Sequence, residues 1–189
     1  MTTTVAPSTT AVRTWTIDPT HATVEFAVRH LMISTVKGRF SDVSGVITTD
    51  ESDPALTSLD VTIAAGSLDT RQADRDTHLR SADFLDVERF PTIRFEGRRL
   101  DGDLGTSFRV VGDLTIHGVT REVTLAVTSE GRGRDPFGPG ERAGFSATTT
   151  IDRRDFGLTW NMALEAGGVA VGHDIKISID VEVVSSGTE

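Results

Sequence analysis

Apolar and polar residues alternate along most of this chain. Val24, Phe26 and Val28 share one side of a stretch whose other side carries Glu25 and Arg29. Val61, Ile63 and Ala65 repeat the pattern, as do Ile93 with Phe95, then Val110, Gly112, Leu114 and Ile116, then Val123, Leu125 and Val127. Phe145, Ala147, Thr149 and Ile151 follow, and the clearest set is Ile175, Ile177, Ile179, Val181 and Val183, with Lys176, Ser178, Asp180 and Glu182 opposite. A period of two with one apolar face is the signature of antiparallel strands that cover a core on one side. Residues 13–18 and 35–49 bring the total to roughly eight or nine strands. Turn signals separate them at Asp101-Gly102, at His117-Gly118 and along Gly131-Arg-Gly-Arg-Asp-Pro-Phe-Gly-Pro-Gly140. Helical signals are few: residues 72–83, stopped before Pro91, and a short turn over 156–165.

That many strands in one domain either stack as a sandwich or close into a barrel, and long strands favour closure. Residues 35–50 read as one long bent strand with Gly38 and Gly45 at the bends. An eight-stranded barrel has room inside for packed side chains or for one small ligand. Alternation does not separate the two, because a solid core and an apolar pocket present the same residues. Residues 76–97 sharpen the question. Asp76, His78, Arg80 and Asp83 are mixed there with Leu79, Phe84, Leu85, Phe90 and Phe95. Three Phe in so short a span need an apolar surface to face, in a core or on a ligand.

Composition narrows the function classes. The 189 residues suffice for one domain with a sizeable core, which we place at 13–185, between a Thr/Ser/Ala/Pro-rich disordered tail at 1–12 and a flexible tail at 186–189. The formal charge of -9 disfavours nucleic acid as a partner, and pairs such as Arg98-Arg99 and Arg153-Arg154 read as solvated surface charge. The absence of Cys removes thiol nucleophiles, disulfides and Cys-based metal sites. The start lacks a basic n-region and an apolar h-region, and no apolar run reaches membrane-spanning length, so the expected compartment is the cytoplasm.

Motif chemistry is sparse. The five His (His21, His30, His78, His117 and His173) show none of the short metal-binding spacings, so turn capping is the plainer role and no metal is expected. G-x-S-x-G, G-x-G-x-x-G and the P-loop pattern are missing. Residues 166–172, Ala-Gly-Gly-Val-Ala-Val-Gly, read as a loop more readily than as a phosphate cradle. In Asp152-Arg-Arg-Asp-Phe-Gly157, Asp155 and Asn161 suit turn caps, and Phe156 and Trp160 suit a plug at one barrel end. Arg29 with His30 and His78 with Arg80 lie beside apolar clusters, which fits either a polar mouth on an amphiphile pocket or surface pairing with Asp76, Asp83 or Asp86.

Four segments, in order, resemble the YceI-like, or polyisoprenoid-binding, family. They are Asp18-Pro-Thr-His21 leading to Val24-Glu-Phe-Ala-Val-Arg-His-Leu31 and Val36-Lys-Gly-Arg-Phe40; His78-Leu-Arg-Ser-Ala-Asp-Phe-Leu-Asp-Val-Glu88 with Phe90-Pro91; Leu114-Thr-Ile-His-Gly-Val-Thr120; and Ile151-Asp-Arg-Arg-Asp-Phe-Gly-Leu158 with Val171-Gly-His-Asp-Ile-Lys-Ile177. Together they span about residues 14–184. The resemblance implies an all-β fold: an extended eight-stranded antiparallel lipocalin-like β-barrel with one or two short helices. It implies an elongated apolar interior for a long-chain amphiphile such as a polyisoprenoid, an isoprenoid quinone or a fatty-acid derivative. It carries over no catalytic residue and no cofactor beyond that bound lipid. Many members bear a secretory signal and act in the periplasm; its absence here favours a cytoplasmic carrier or store. Any contact that a relative makes through Tyr is missing, since Tyr is absent.

Alternation and aromatic placement then name the expected wall: Phe26, Val28, Phe40, Val46, Ile63, Phe84, Phe95, Leu114, Ile116, Phe145, Trp160 and Ile177, with Arg29, His30, His78 and Arg80 at a polar mouth. Three functions compete. A lipid carrier or sequestering protein co-purifies with an apolar ligand. A His-dependent enzyme acting on a lipid needs titratable groups converging with a metal, for which the spacing gives no support. A solidly packed structural or partner-binding barrel has no cavity and shows an exposed apolar patch elsewhere. The carrier fits best, and exposed aromatics at an open mouth leave room for a homodimer.

Overall fold

The computed structural model describes residues 12–50, 57–102, 105–163 and 169–185. Their strands are β1 (Val12–His30), β2 (Ser34–Phe40), β3 (Val43–Asp50), β4 (Ser58–Ala64), β5 (Leu68–Asp69), β6 (Thr92–Asp101), β7 (Ser107–Ile116), β8 (Val119–Arg134), β9 (Glu141–Asp152) and β10 (Val171–Ser185). The helix α1 (Ala73–Arg80) lies between β5 and β6. The expected tails lie outside the described residues, except Val12, which begins β1.

Eight strands close a ring in the order β10-β9-β8-β7-β6-β4-β3-β1, and β1 pairs back with β10. All pairs are antiparallel. Closure leaves no edge in the ring. The 19-residue β1 does the work of two strands. Its first part pairs with β3 (Trp15 opposite Ile47), and its second part pairs with β2 (Val28 opposite Val36). Its register against β10 shifts between Ile17 and Ala22, a bulge that accommodates Pro19. The long bent strand expected at 35–50 is therefore β2 and β3, broken at Ser41 and Asp42.

Beyond β1, the end of β2 gains only the two-residue β5 (Phe40 opposite Leu68), and α1 with the turns after it covers this side of the barrel. The Gln72 side chain caps the first turn of α1 by accepting from the Arg75 amide. Buried Asp76 ties α1 down by accepting from the Thr70 amide at 2.9 Å and its hydroxyl at 2.5 Å. The helix ends at Arg80, sooner than the expected residue 83, because the Ser81 hydroxyl and amide both turn back to the His78 carbonyl. No helix forms over the described part of 156–165. A 3-10 turn runs instead over Arg153–Phe156, capped by Asp152 rather than Asp155 and stopped at Gly157, where φ is 77°. His117 and Gly118, at φ 52° and 73°, form the tight hairpin between β7 and β8. Gly118 is doubly constrained, since a Cβ there would sit 2.6 Å from the Phe90 ring.

Candidate functional site

The barrel is hollow. Phe26, Val28, Ile47, Phe145, Ile175, Ile177, Ile179 and Val181 point inward yet are only half-buried, because they border open space rather than one another. That space is a cavity of about 1090 Å³ with an almost wholly apolar wall. It extends from Trp15, Thr49 and Arg132 at one end to Val171, Trp160 and exposed Met162 at the other. Along β10 its wall runs from Ile175 to Val183, roughly 27 Å at the rise of an extended strand.

Of the residues expected in the wall, Phe26, Val28, Phe40, Ile63, Phe84, Phe95, Leu114, Ile116, Phe145, Trp160 and Ile177 border the cavity. Val46 does not; it faces outward and is 44% exposed. In β3 the inward positions are Val43, Gly45 and Ile47, and a Cβ on Gly45 would come within 2.9 Å of the Ile17 side chain. Ile17 thus fills from β1 the space that a side chain at position 45 would take. Gly38 has a similar role, leaving room for the Phe26 ring, which packs 5.7 Å from that of Phe40. Within 76–97 the apolar residues divide: Leu79, Phe84, Leu85 and Phe95 line the cavity, while Phe90 packs on His117 outside it.

The expected polar mouth divides too. Arg29 and His30 border the cavity at the end of β1, and Arg29 donates to the Met32 carbonyl at 2.6 Å and the Thr35 hydroxyl at 3.3 Å. His78 stands edge-on to Trp160 and Phe84, with ring centroids 4.8 and 5.1 Å away. Its Nε2 is 2.8 Å from Asp83, which fixes the ring. Arg80 is not at the mouth. Its guanidinium donates to the carbonyls of Gly66 (2.9 Å) and Leu68, fastening α1 to the preceding loop. Cation and carbonyl hold each other there, and the side chain is withdrawn from the cavity.

Alternation alone would have found more of the wall, including Trp15, Phe108 and the rest of the Ile175–Val183 series. Arg153 had no such signal. Taken in the sequence as surface charge, it is 3% exposed and lines the cavity. Its neighbour Arg154 is exposed and forks onto Asp152, holding that carboxyl down at about 2. Burial lowers the affinity of Arg153 itself for its proton, although a guanidinium stays charged at neutral pH. Asn161 braces the same end, with its amide donating to the Val171 carbonyl at 2.7 Å and its side-chain carbonyl accepting from the amides of Met162 and Val171.

Away from the cavity, Asp18, His21 and Glu182 converge on the outer surface. Arg142 already supplies the cation there, reaching Asp18 at 2.7 Å, Glu182 at 2.9 Å and Asp135 at 3.0 Å. Hydrogen bonds from Thr20 and Arg142 hold the Asp18 carboxyl well below the usual carboxylate range. This is an ion-paired brace between β1, β9 and β10. Among the described residues, no helix is long and apolar enough to cross a membrane.

Known proteins share this architecture. The UPF0312 protein of Serratia proteamaculans (strain 568) is 42% identical over 164 residues, covering 87% of this chain and 81% of its own. The Campylobacter jejuni YCEI protein superposes with a TM-score of 0.69 at 32% identity, over 84% of this chain and 90% of that one. A polyisoprenoid binding domain from Saccharophagus degradans shares the fold at a TM-score of 0.63 and 14% identity, over 91% of this chain and 98% of that one. The YceI-like domain family matches residues 15–183, and the chain belongs to that family.

Proposed function

We propose that the barrel is a non-enzymatic carrier, store or sequestering protein for a long-chain amphiphile: a polyisoprenoid, an isoprenoid quinone or a fatty-acid derivative. The observation that carries this reading is the cavity itself. Its 1090 Å³ would hold on the order of 35 waters at about 30 Å³ each, yet the wall offers them few polar partners. An elongated apolar ligand removes both problems. Enclosing about twenty methylene-equivalents is worth on the order of 10 kcal/mol gross, before ordering costs. The same hollow interior argues against the solidly packed barrel. The Saccharophagus degradans neighbour, described as polyisoprenoid binding, is a likeness of fold in keeping with this reading.

The test is native mass spectrometry of the purified protein, with organic extraction of whatever it carries. The expected result is one long-chain isoprenoid or acyl molecule per chain. An apo mass that persists after incubation with prenyl lipids and quinones would overturn the reading.

A further inference from the structure

Arg153 is the one buried cation among the described residues. It follows the last residue of β9 and lies on the cavity wall with Leu158, Trp160 and Val171. Its Nε donates to the Gly172 carbonyl at 2.9 Å, one Nη to the Val171 carbonyl at 3.3 Å, and the other Nη to the Leu158 carbonyl. These bonds use three of the five guanidinium N–H groups and leave two. The carbonyls fix the plane of the group without neutralising it. The adjacent carboxylate, Asp152, acts on Arg153 only from a distance and spends its hydrogen bonds on the fork from Arg154. No carboxylate lies within ion-pair distance of Arg153 among the described residues.

A buried charge is costly unless it is paired, and this one borders an apolar chamber. An arginine held in place by backbone carbonyls, with N–H groups to spare, suits the two-oxygen geometry of a carboxylate or phosphate. We infer that Arg153 anchors an anionic head group near the Trp160 end, so that the barrel prefers long-chain acids or phosphate monoesters to neutral lipids of the same length. This rests on the lipid-binding reading above and adds the charge of the ligand to it. The tail would then run along the β10 isoleucines towards Trp15.

The test compares farnesoic acid, farnesyl monophosphate and farnesol, which share one tail, by isothermal titration calorimetry on delipidated protein. Wild type is expected to bind at least one of the two anions ten or more times tighter than the alcohol. Arg153→Met should bind farnesol as wild type does and lose the preference, and Arg98→Gln, which removes an exposed cation away from the cavity, should keep it. Equal affinity of wild type for all three probes overturns the inference while leaving lipid binding intact, as does a preference that survives in Arg153→Met. If Arg153→Met fails to fold, Arg153→Gln replaces it, keeping hydrogen-bond donors for the carbonyls without the charge: an anion preference that survives in Arg153→Gln overturns the inference. Failure of all three probes to bind overturns the lipid-binding reading together with this one.

Discussion

The two tryptophans stand at opposite ends of one cavity and are held in different ways. Trp15 is 5% exposed, with Arg13 and Arg132 over its ring at 5.7 and 5.0 Å. Both arginines also pair with Glu141, and Trp15 Nε1 reaches the Thr49 hydroxyl at 3.4 Å. Trp160 is half-buried and rests on His78 and Phe84, close in sequence to exposed Met162. One end is cross-linked by charges that satisfy each other across β1, β8 and β9. The other is aromatic packing on a helix and a loop, braced by hydrogen bonds from Arg153 and Asn161 to backbone carbonyls. Stability should therefore concentrate at the Trp15 end, and ligand passage at the Trp160 end.

Truncation should break this comparison most visibly. Trp15→Ala should cost about 3–5 kcal/mol, the usual loss for a large buried aromatic, read as a fall in the denaturant midpoint. Trp160→Ala should cost under about 2 kcal/mol, since its ring is only partly buried and borders the cavity. An equal loss in both variants would erase the distinction. In lipid binding the order should reverse: Trp160→Ala should weaken affinity about tenfold, corresponding to about 1.4 kcal/mol, with faster release measured by stopped-flow.

Acid should act on the Trp15 end first. The hydrogen bond from Arg132, joined by Arg13, holds the Glu141 carboxyl below its ordinary value of 4.5. A lowered folded value means that this contribution is complete above 4.5 and fades as the pH falls below 4.5 through the folded value. In a Trp160→Phe variant the remaining Trp15 fluorescence should report loosening in that window, and Glu141→Gln should abolish the transition. The smallest expected effect is that of Arg132→Ala, about 0.5–1 kcal/mol for an exposed cation on an aromatic face, measured by thermal unfolding.

Much of the fold was legible because alternation maps directly onto a barrel wall. The β10 isoleucines face the cavity as their spacing requires. The unity of β1 was hidden because Asp18, Pro19 and Thr20 look like a turn, with Thr20 bonding back to Asp18; they form a bulge, and the pairing of Ile17 and Ala22 with β10 on either side keeps the strand continuous. Val46 was misplaced because the inward slot beside it belongs to Gly45 and is filled by a residue from another strand. Arg80 and Arg153 exchanged roles for a similar reason. Whether an arginine meets solvent, a loop carbonyl or a cavity depends on what the fold brings beside it, and the chain neighbours of these two residues do not reveal that.

The long first strand has a consequence for how the molecule comes into being. The ring closes only where β1 meets β10, pairing Trp15 with Ser185 and Val28 with Ile175. Those partners stand at opposite extremes of the described chain, so closure is the most non-local event in its folding, and contacts of that kind form slowly. During synthesis β1 waits for β10 with its apolar face uncovered. The chamber does not exist until that pairing, so a nascent chain has no interior, and any ligand would have to enter a finished barrel.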